Sequence, residues 1–337
     1  MHIAAVALTA IALVVLAGLA YQQLGVWRDR RRWPAPGRFA EIADGLRLHC
    51  CEAGSGSPAV ILESGIAATT LNWRALQTSI ARFTRVLSYD RAGLGFSDPA
   101  RTPRTPAHVV AELRLLLEHS GVPPPYVLVG HSFGGLVMRR FALDHPREVA
   151  ALVLLDPLRP EDWTPLSAEQ RALLARGVML LSRGALLARF GVVRFCLSAL
   201  MAGSRFLPRA IGRAASGHGL FVMDRIAGEI GKMPREVRPF IAANWSRPAS
   251  FHGLAAHLRD LPASVAEIGS APPLQGIPVT IITAGREPPN DAASIRAVSP
   301  DARHIVSPAS GHWVHLDDPE LVLKTIREAV EAARWKQ

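Results

Sequence analysis

The sequence predicts an α/β fold: a mostly parallel central sheet flanked by helices, an inserted helical cap, and a transmembrane helix at the N-terminus. Three observations predict it. The runs YVLVG (Tyr126–Gly130) and ALVLL (Ala151–Leu155) are continuously apolar but for the Tyr126 hydroxyl, as strands buried on both faces require. Helical patterns alternate with such runs in the order strand, helix, strand, helix. Between Pro160 and Pro273 the alternation stops, and the pattern turns helical with Gly, Pro and Arg breaks.

The chain begins with IAAVALTAIALVVLAGLA from Ile3 to Ala20, where Thr9 is the single polar side chain. Extended to Val26 this makes about 36 Å of helix at ~1.5 Å per residue, against a hydrocarbon core of ~30 Å. A buried helix of a soluble domain would show a polar stripe over five turns. Tyr21 and Trp27 stand where interfacial aromatics stand, and Arg28, Arg30, Arg31 and Arg32 follow. The expectation is a single-pass anchor over residues 1–27 and a basic, proline-containing linker over 28–38. The positive-inside rule puts the C-terminal flank in the cytoplasm, where its charge attracts anionic headgroups. The alternative is a cleaved signal peptide and a secreted protein: Gly18 and Ala20 satisfy a small-x-small rule, although no Lys or Arg precedes the apolar run.

Strands are expected at Phe39–Ala43, Leu46–Cys51, Ala59–Glu63, Arg85–Tyr89, Tyr126–Gly130, Ala151–Leu155, Val279–Thr283 and His304–Val306. Helices are expected at Trp73–Ala81, Ala107–His119, Phe133–His145 and Pro319–Ala333. The core then spans 39–159 and 274–337, and the cap 160–273. Within the cap the helical stretches are Leu166–Leu187, Val192–Met201, Phe221–Ile230 and Val237–Trp245.

Composition removes several function classes. The 337 residues are 49% hydrophobic and 20% charged, enough for a large core and unlike a disordered chain. Net charge is +10, from 38 basic and 28 acidic residues. The arginines are dispersed, with no basic face interleaved with aromatics, so no nucleic-acid partner is expected. Cys50, Cys51 and Cys196 have neither zinc-ligand nor disulfide-framework spacing. Internal repeats are absent.

Chemistry concentrates at Gly130-His131-Ser132-Phe133-Gly134, a G-x-S-x-G between an apolar strand and a helix. Glycines flank a strained turn in which a Cβ would clash, and the turn exposes Ser132 at the sheet edge as nucleophile. The dipole of the following helix points at a developing oxyanion. A base is needed, and His312 in SGHWVHLDDPELV lies on a loop between the last strand and the last helix; His304 and His315 are its competitors.

These motifs, together with Glu63-Ser64-Gly65-Ile66, Tyr89-Asp90-Arg91-Ala92-Gly93-Leu94-Gly95-Phe96-Ser97, Asp156-Pro157 and Gly311-His312, resemble the α/β-hydrolase family, a large group of capped serine esterases, lipases, peptidases and acyl hydrolases. The resemblance covers roughly Gly37 to Ala333. It implies backbone oxyanion donors at Ile66 and Phe133, with Ser64 standing where the family usually has His. Asp90-Arg91 reads as a structural turn. The triad acid has two family locations. One follows the sixth strand and offers Asp156; the other follows the seventh, where TAGREPPNDAAS offers Glu287 and Asp291. The implied function is hydrolysis of an ester or related acyl bond through an acyl-serine, with no cofactor or metal, on a small and apolar acyl substrate. A serine at 132 speaks against epoxide hydrolase and dehalogenase chemistry, which the resemblance ties to an aspartate there. The alternatives are an acyltransferase or peptidase with the same triad, or a non-catalytic binding protein.

Overall fold

The computed structural model describes residues 2–201, 231–286 and 292–335; the expected helix Phe221–Ile230 lies outside them. Eight strands form one sheet in the order β1-β2-β4-β3-β5-β6-β7-β8. They are β1 (Arg38–Ala43), β2 (Leu46–Ala53), β3 (Ala59–Glu63), β4 (Val86–Tyr89), β5 (Tyr126–His131), β6 (Val149–Leu155), β7 (Val279–Ala284) and β8 (Arg303–Ser307). β2 runs antiparallel to both neighbours, and β3 to β8 pair in parallel.

Side-chain alternation explains the wholly apolar strands. Ile61, Leu128, Leu152 and Leu154 join one buried cluster, packed on α3 (Pro106–His119) and α4 (Phe133–Asp144). Val60, Leu62, Val127, Val129 and Val153 enter a second cluster on the opposite face, with α2 (Thr70–Ile80) and the C-terminal helix Pro319–Arg334. Successive residues of a strand point to opposite faces, so both parities must be apolar when helices cover both sides. Each fully buried Leu, Val or Phe contributes about 1.5–3 kcal/mol.

Among the described residues the remaining α-helices are α1 (His2–Arg32), α5 (Ala168–Arg189), α6 (Val192–Met201), α7 (Arg238–Trp245), α8 (Pro248–Gly269), α9 (Ala292–Val298), α10 (Val314–Asp317) and α11, the C-terminal helix above. α1 does not stop at Trp27. It continues through the arginine cluster, so residues 28–32 are helical rather than linker. Residues Ile3 to Leu16 of α1 are exposed, and the helix is long and apolar enough to cross a membrane, a property that signal sequences share.

The chain divides into two compact units, Pro36–Ala175 with Ala256–Gln337, and Met1–Ala35 with Arg176–Ala255. The first contains the sheet. The second gathers α1 with the middle of the helical insertion, whereas the sequence suggested a separate anchor. α8 also differs from expectation. It was not among the expected helices, and it runs from Pro248 to Gly269 with Pro262 inside it.

Candidate active site

β5 passes into α4 through one residue, Ser132, whose backbone sits at φ 54° and ψ −121°. A non-glycine residue at positive φ is uncommon and strained, and the surroundings must hold it. The Ser132 N–H donates to Leu155 O (3.1 Å), and Ser132 O accepts from Gly135 N (2.9 Å) and Leu158 N (3.1 Å). The flanking glycines are required by space. A Cβ on Gly134 would lie 2.6 Å from Glu63 O, and one on Gly130 2.5 Å from Gly134 O. Ser132 keeps partial exposure between buried His131 and Phe133. The N-terminus of α4 begins at Phe133, whose amide is the expected second oxyanion donor.

The sheet register aligns the next candidate. His131 pairs with Leu155, so Ser132 and Asp156 leave adjacent strands side by side. Asp156 also has positive φ, 41°, with its N–H on Ile282 O at 2.7 Å. That turn aims its carboxylate along the strand ends. Oδ1 accepts from Ala284 N at 3.1 Å, and Oδ2 lies 2.7 Å from His312 Nδ1. His312 stands on the loop between β8 and α10, its carbonyl oxygen 2.8 Å from His131 Nε2. The loop is tied down by Gly311 N donating to Asp317 Oδ2 at 2.9 Å. Glu287 and Asp291 lie outside the described residues.

The other histidines are differently placed. His304 Nε2 lies 2.9 Å from Thr283 Oγ1. His315 is buried, stacked on Trp73 at 4.4 Å; burial and the neighbouring His312 push it down to about 3. A neutral, ring-stacked histidine completes an aromatic packing layer behind His312 rather than a proton path.

Gly65 brings the loop after β3 to the elbow: a Cβ on it would stand 3.4 Å from Ser132 Cβ. Ile66, the expected first oxyanion donor, follows. Ser64 turns away from the site. Its Oγ accepts the Trp73 indole N–H at 2.8 Å and donates to Thr69 O at 3.3 Å.

Beneath this loop lies a cluster that the sequence did not reveal. Arg91, 2% exposed, donates through Nη1 to Ser64 O (2.6 Å) and Glu63 Oε1 (2.6 Å), and through Nη2 to Gly65 O (2.6 Å) and Ile66 O (3.4 Å). Its Nε donates to His257 Nε2 on α8 at 3.0 Å, and its guanidinium lies over the Phe133 ring. Tyr89 Oη donates to the other Glu63 oxygen. Burial outweighs these partners and raises the Glu63 carboxyl above its ordinary range. Three successive carbonyls are thus drawn to one cation, which fixes the direction of the peptide planes, and hence of the amides, in the loop carrying Ile66. Asp90 does form the expected turn: its carboxylate accepts from Thr70 N (2.8 Å) and Phe96 N (3.0 Å) and contacts His49 Nδ1 (2.8 Å). The available signal for Arg91 was its pairing with a glutamate ending the neighbouring strand. Among the described residues, no group of three His, Cys, Asp or Glu side chains is arranged to hold a metal.

These side chains gather at the C-terminal ends of parallel strands, where open α/β sheets bind ligands. Residues 58–195 match the family model described as alpha/beta hydrolase fold. Over 115 residues the chain is 34% identical to a Bacillus subtilis protein, YqjL, covering 34% of this chain and 46% of that one; it therefore spans under half of this relative's length. A thermophilic esterase from Thermogutta terrifontis superposes with a TM-score of 0.61 at 21% identity, covering 88% of this chain and 98% of the esterase. The epoxide hydrolase CorEH superposes equally, with a TM-score of 0.61 at 20% identity over 86% of this chain and 96% of its own. Two chemistries on one scaffold leave the choice of reaction to the site.

Proposed function

From the premise that the chain is a member of the α/β-hydrolase fold family, we propose that it is a serine hydrolase that cleaves an ester of an apolar acyl group. Ser132 is the nucleophile, His312 the general base and Asp156 the acid of the triad. The observation that carries this reading is the 2.7 Å approach of His312 Nδ1 to Asp156 Oδ2 beside a strained serine elbow.

In the first step Ser132 Oγ attacks the acyl carbonyl carbon while His312 Nε2 takes its proton, and Asp156 stabilises the imidazolium through Nδ1–H. The carbonyl oxygen becomes an oxyanion, held by the Ile66 and Phe133 amides. Arg91 acts as a positioning residue by holding the Ser64, Gly65 and Ile66 carbonyls away from that pocket. His312 then protonates the leaving alcohol, giving the acyl-serine. A water deprotonated by His312 attacks it, releasing the acid and restoring Ser132. α1 holds the enzyme at a membrane, where apolar esters concentrate.

The test is covalent labelling of the full chain in detergent by a fluorophosphonate, which phosphonylates an activated serine. The wild type is labelled and Ser132→Ala is not. Labelling that persists in Ser132→Ala would overturn the assignment.

A further inference from the structure

α1 is built into the helical unit. Gly18, Tyr21, Gln22, Gly25 and Asp29 recur at spacings of three and four, which places them on one helix face. That face meets the turn between α5 and α6. A Cβ on Gly18 would stand 2.6 Å from Phe190 O, and one on Gly191 2.7 Å from the Tyr21 ring. A buried polar cluster locks the contact. Arg194 donates to Gln22 Oε1 (3.0 Å), Asp29 Oδ2 (2.6 Å) and Ser246 Oγ (2.7 Å), and Gln22 Nε2 donates to Ser246 O (2.9 Å). Gln22 is 3% and Arg194 8% exposed.

This packing sets the depth of the turn. Gly18 falls inside the apolar run that ends at Ala20, and at ~1.5 Å per residue it stands about 15 Å before Arg28 along the helix. A headgroup region is only about 5–8 Å thick on each side of the hydrocarbon. With the arginines at the headgroups, the α5–α6 turn beside Gly18 lies at the hydrocarbon edge. The surface there suits it. Met179, Leu180, Leu186, Leu187, Val192 and Phe195 are 43–63% exposed. Between them stand Arg183 and Arg189, and no Asp or Glu occurs from Arg176 to Met201. Exposed aliphatic and aromatic side chains interleaved with arginines are the make-up of an interfacial helix that binds anionic lipid, its arginines reaching up to phosphate.

We propose that the α5–α6 turn is a second membrane-contacting element, seated at the hydrocarbon–headgroup boundary of an anionic bilayer beside α1. It rests on the reading that α1 enters the membrane. The helical unit would then meet the bilayer through two packed elements, α1 and the turn.

The test uses the full chain with Cys50, Cys51 and Cys196 changed to Ser and single cysteines introduced by Leu13→Cys, Leu187→Cys, Phe195→Cys or Glu236→Cys. Each is labelled with an environment-sensitive fluorophore and reconstituted in phosphatidylcholine vesicles, with or without phosphatidylglycerol. Nitroxide-bearing lipids are the quenchers. The expected result is quenching at 13, 187 and 195, none at 236, and stronger quenching at 187 and 195 with phosphatidylglycerol. Quenching at 13 alone overturns the proposal and leaves the anchor standing, whether the turn then faces water, a second copy or another segment of the chain. No quenching at 13 overturns both. Equal quenching at 187 and 195 in both lipid mixtures overturns the assignment to anionic lipid.

Discussion

Asp156 reaches His312 with one carboxylate oxygen and the Ala284 amide with the other, at 2.7 and 3.1 Å. The Asp156 carboxylate is therefore oriented by the backbone of β7 while it contacts the imidazole on the loop after β8. In the proposed triad, two neighbouring strands thus share the placing of one proton path. Fixing an imidazole in the tautomer that presents a free Nε2 is the role that a triad acid plays.

Arg91→Lys keeps a positive charge but loses the fork that binds three carbonyls at once. We expect kcat to fall about tenfold, since removing an oxyanion donor outright costs about 10²–10³. KM should stay near the wild-type value, which a merely structural role would not predict. Arg91→Met leaves the buried Glu63 without its cation, and thermal unfolding should show a loss of about 3–5 kcal/mol.

Gly134→Ala adds a Cβ within 3 Å of two backbone oxygens, Glu63 O and Ser64 O, which cannot yield as a side chain would. Denaturant unfolding should show about 1–3 kcal/mol of destabilisation. The folded fraction should label slowly with the fluorophosphonate, because the loop carrying Ile66 is displaced.

His315 ties stability to acid. Its folded value of about 3 lies below the ordinary 6.5, so the unfolded chain binds the proton more readily. The contribution of neutral, buried His315 to stability is full above pH 6.5 and is lost progressively as pH falls toward 3. His315→Phe removes the titrating group and keeps a ring on Trp73. The variant's Tm should decline less than the wild type's over that window; equal declines would assign the acid sensitivity to other groups.

The sheet and the elbow were legible because their causes are local. Val127, Val129, Leu128 and Leu152 announce two covered faces within a few residues, and Gly130 and Gly134 are required by the turn that they flank. What escaped depends on distance along the chain. Arg91 gains its role from carbonyls 25 to 27 residues away and from His257, 166 residues on. The packing of Gly18 and Gln22 on Phe190 and Ser246 is equally remote, and an apolar N-terminal run reads the same with or without it. α8 was not among the expected helices, and it carries inside it Pro262, a residue type that disfavours a helix interior.

Turnover of a p-nitrophenyl ester by Asp156→Asn decides whether Asp156 is the acid that orients His312. Asparagine keeps the size of the side chain and removes the charge that favours imidazolium. A folded protein is expected whose kcat falls about 10³–10⁴-fold, while Glu287→Gln remains near wild type. A folded Asp156→Asn with near-normal turnover, and a collapse in Glu287→Gln, would contradict it and move the acid to the loop after β7.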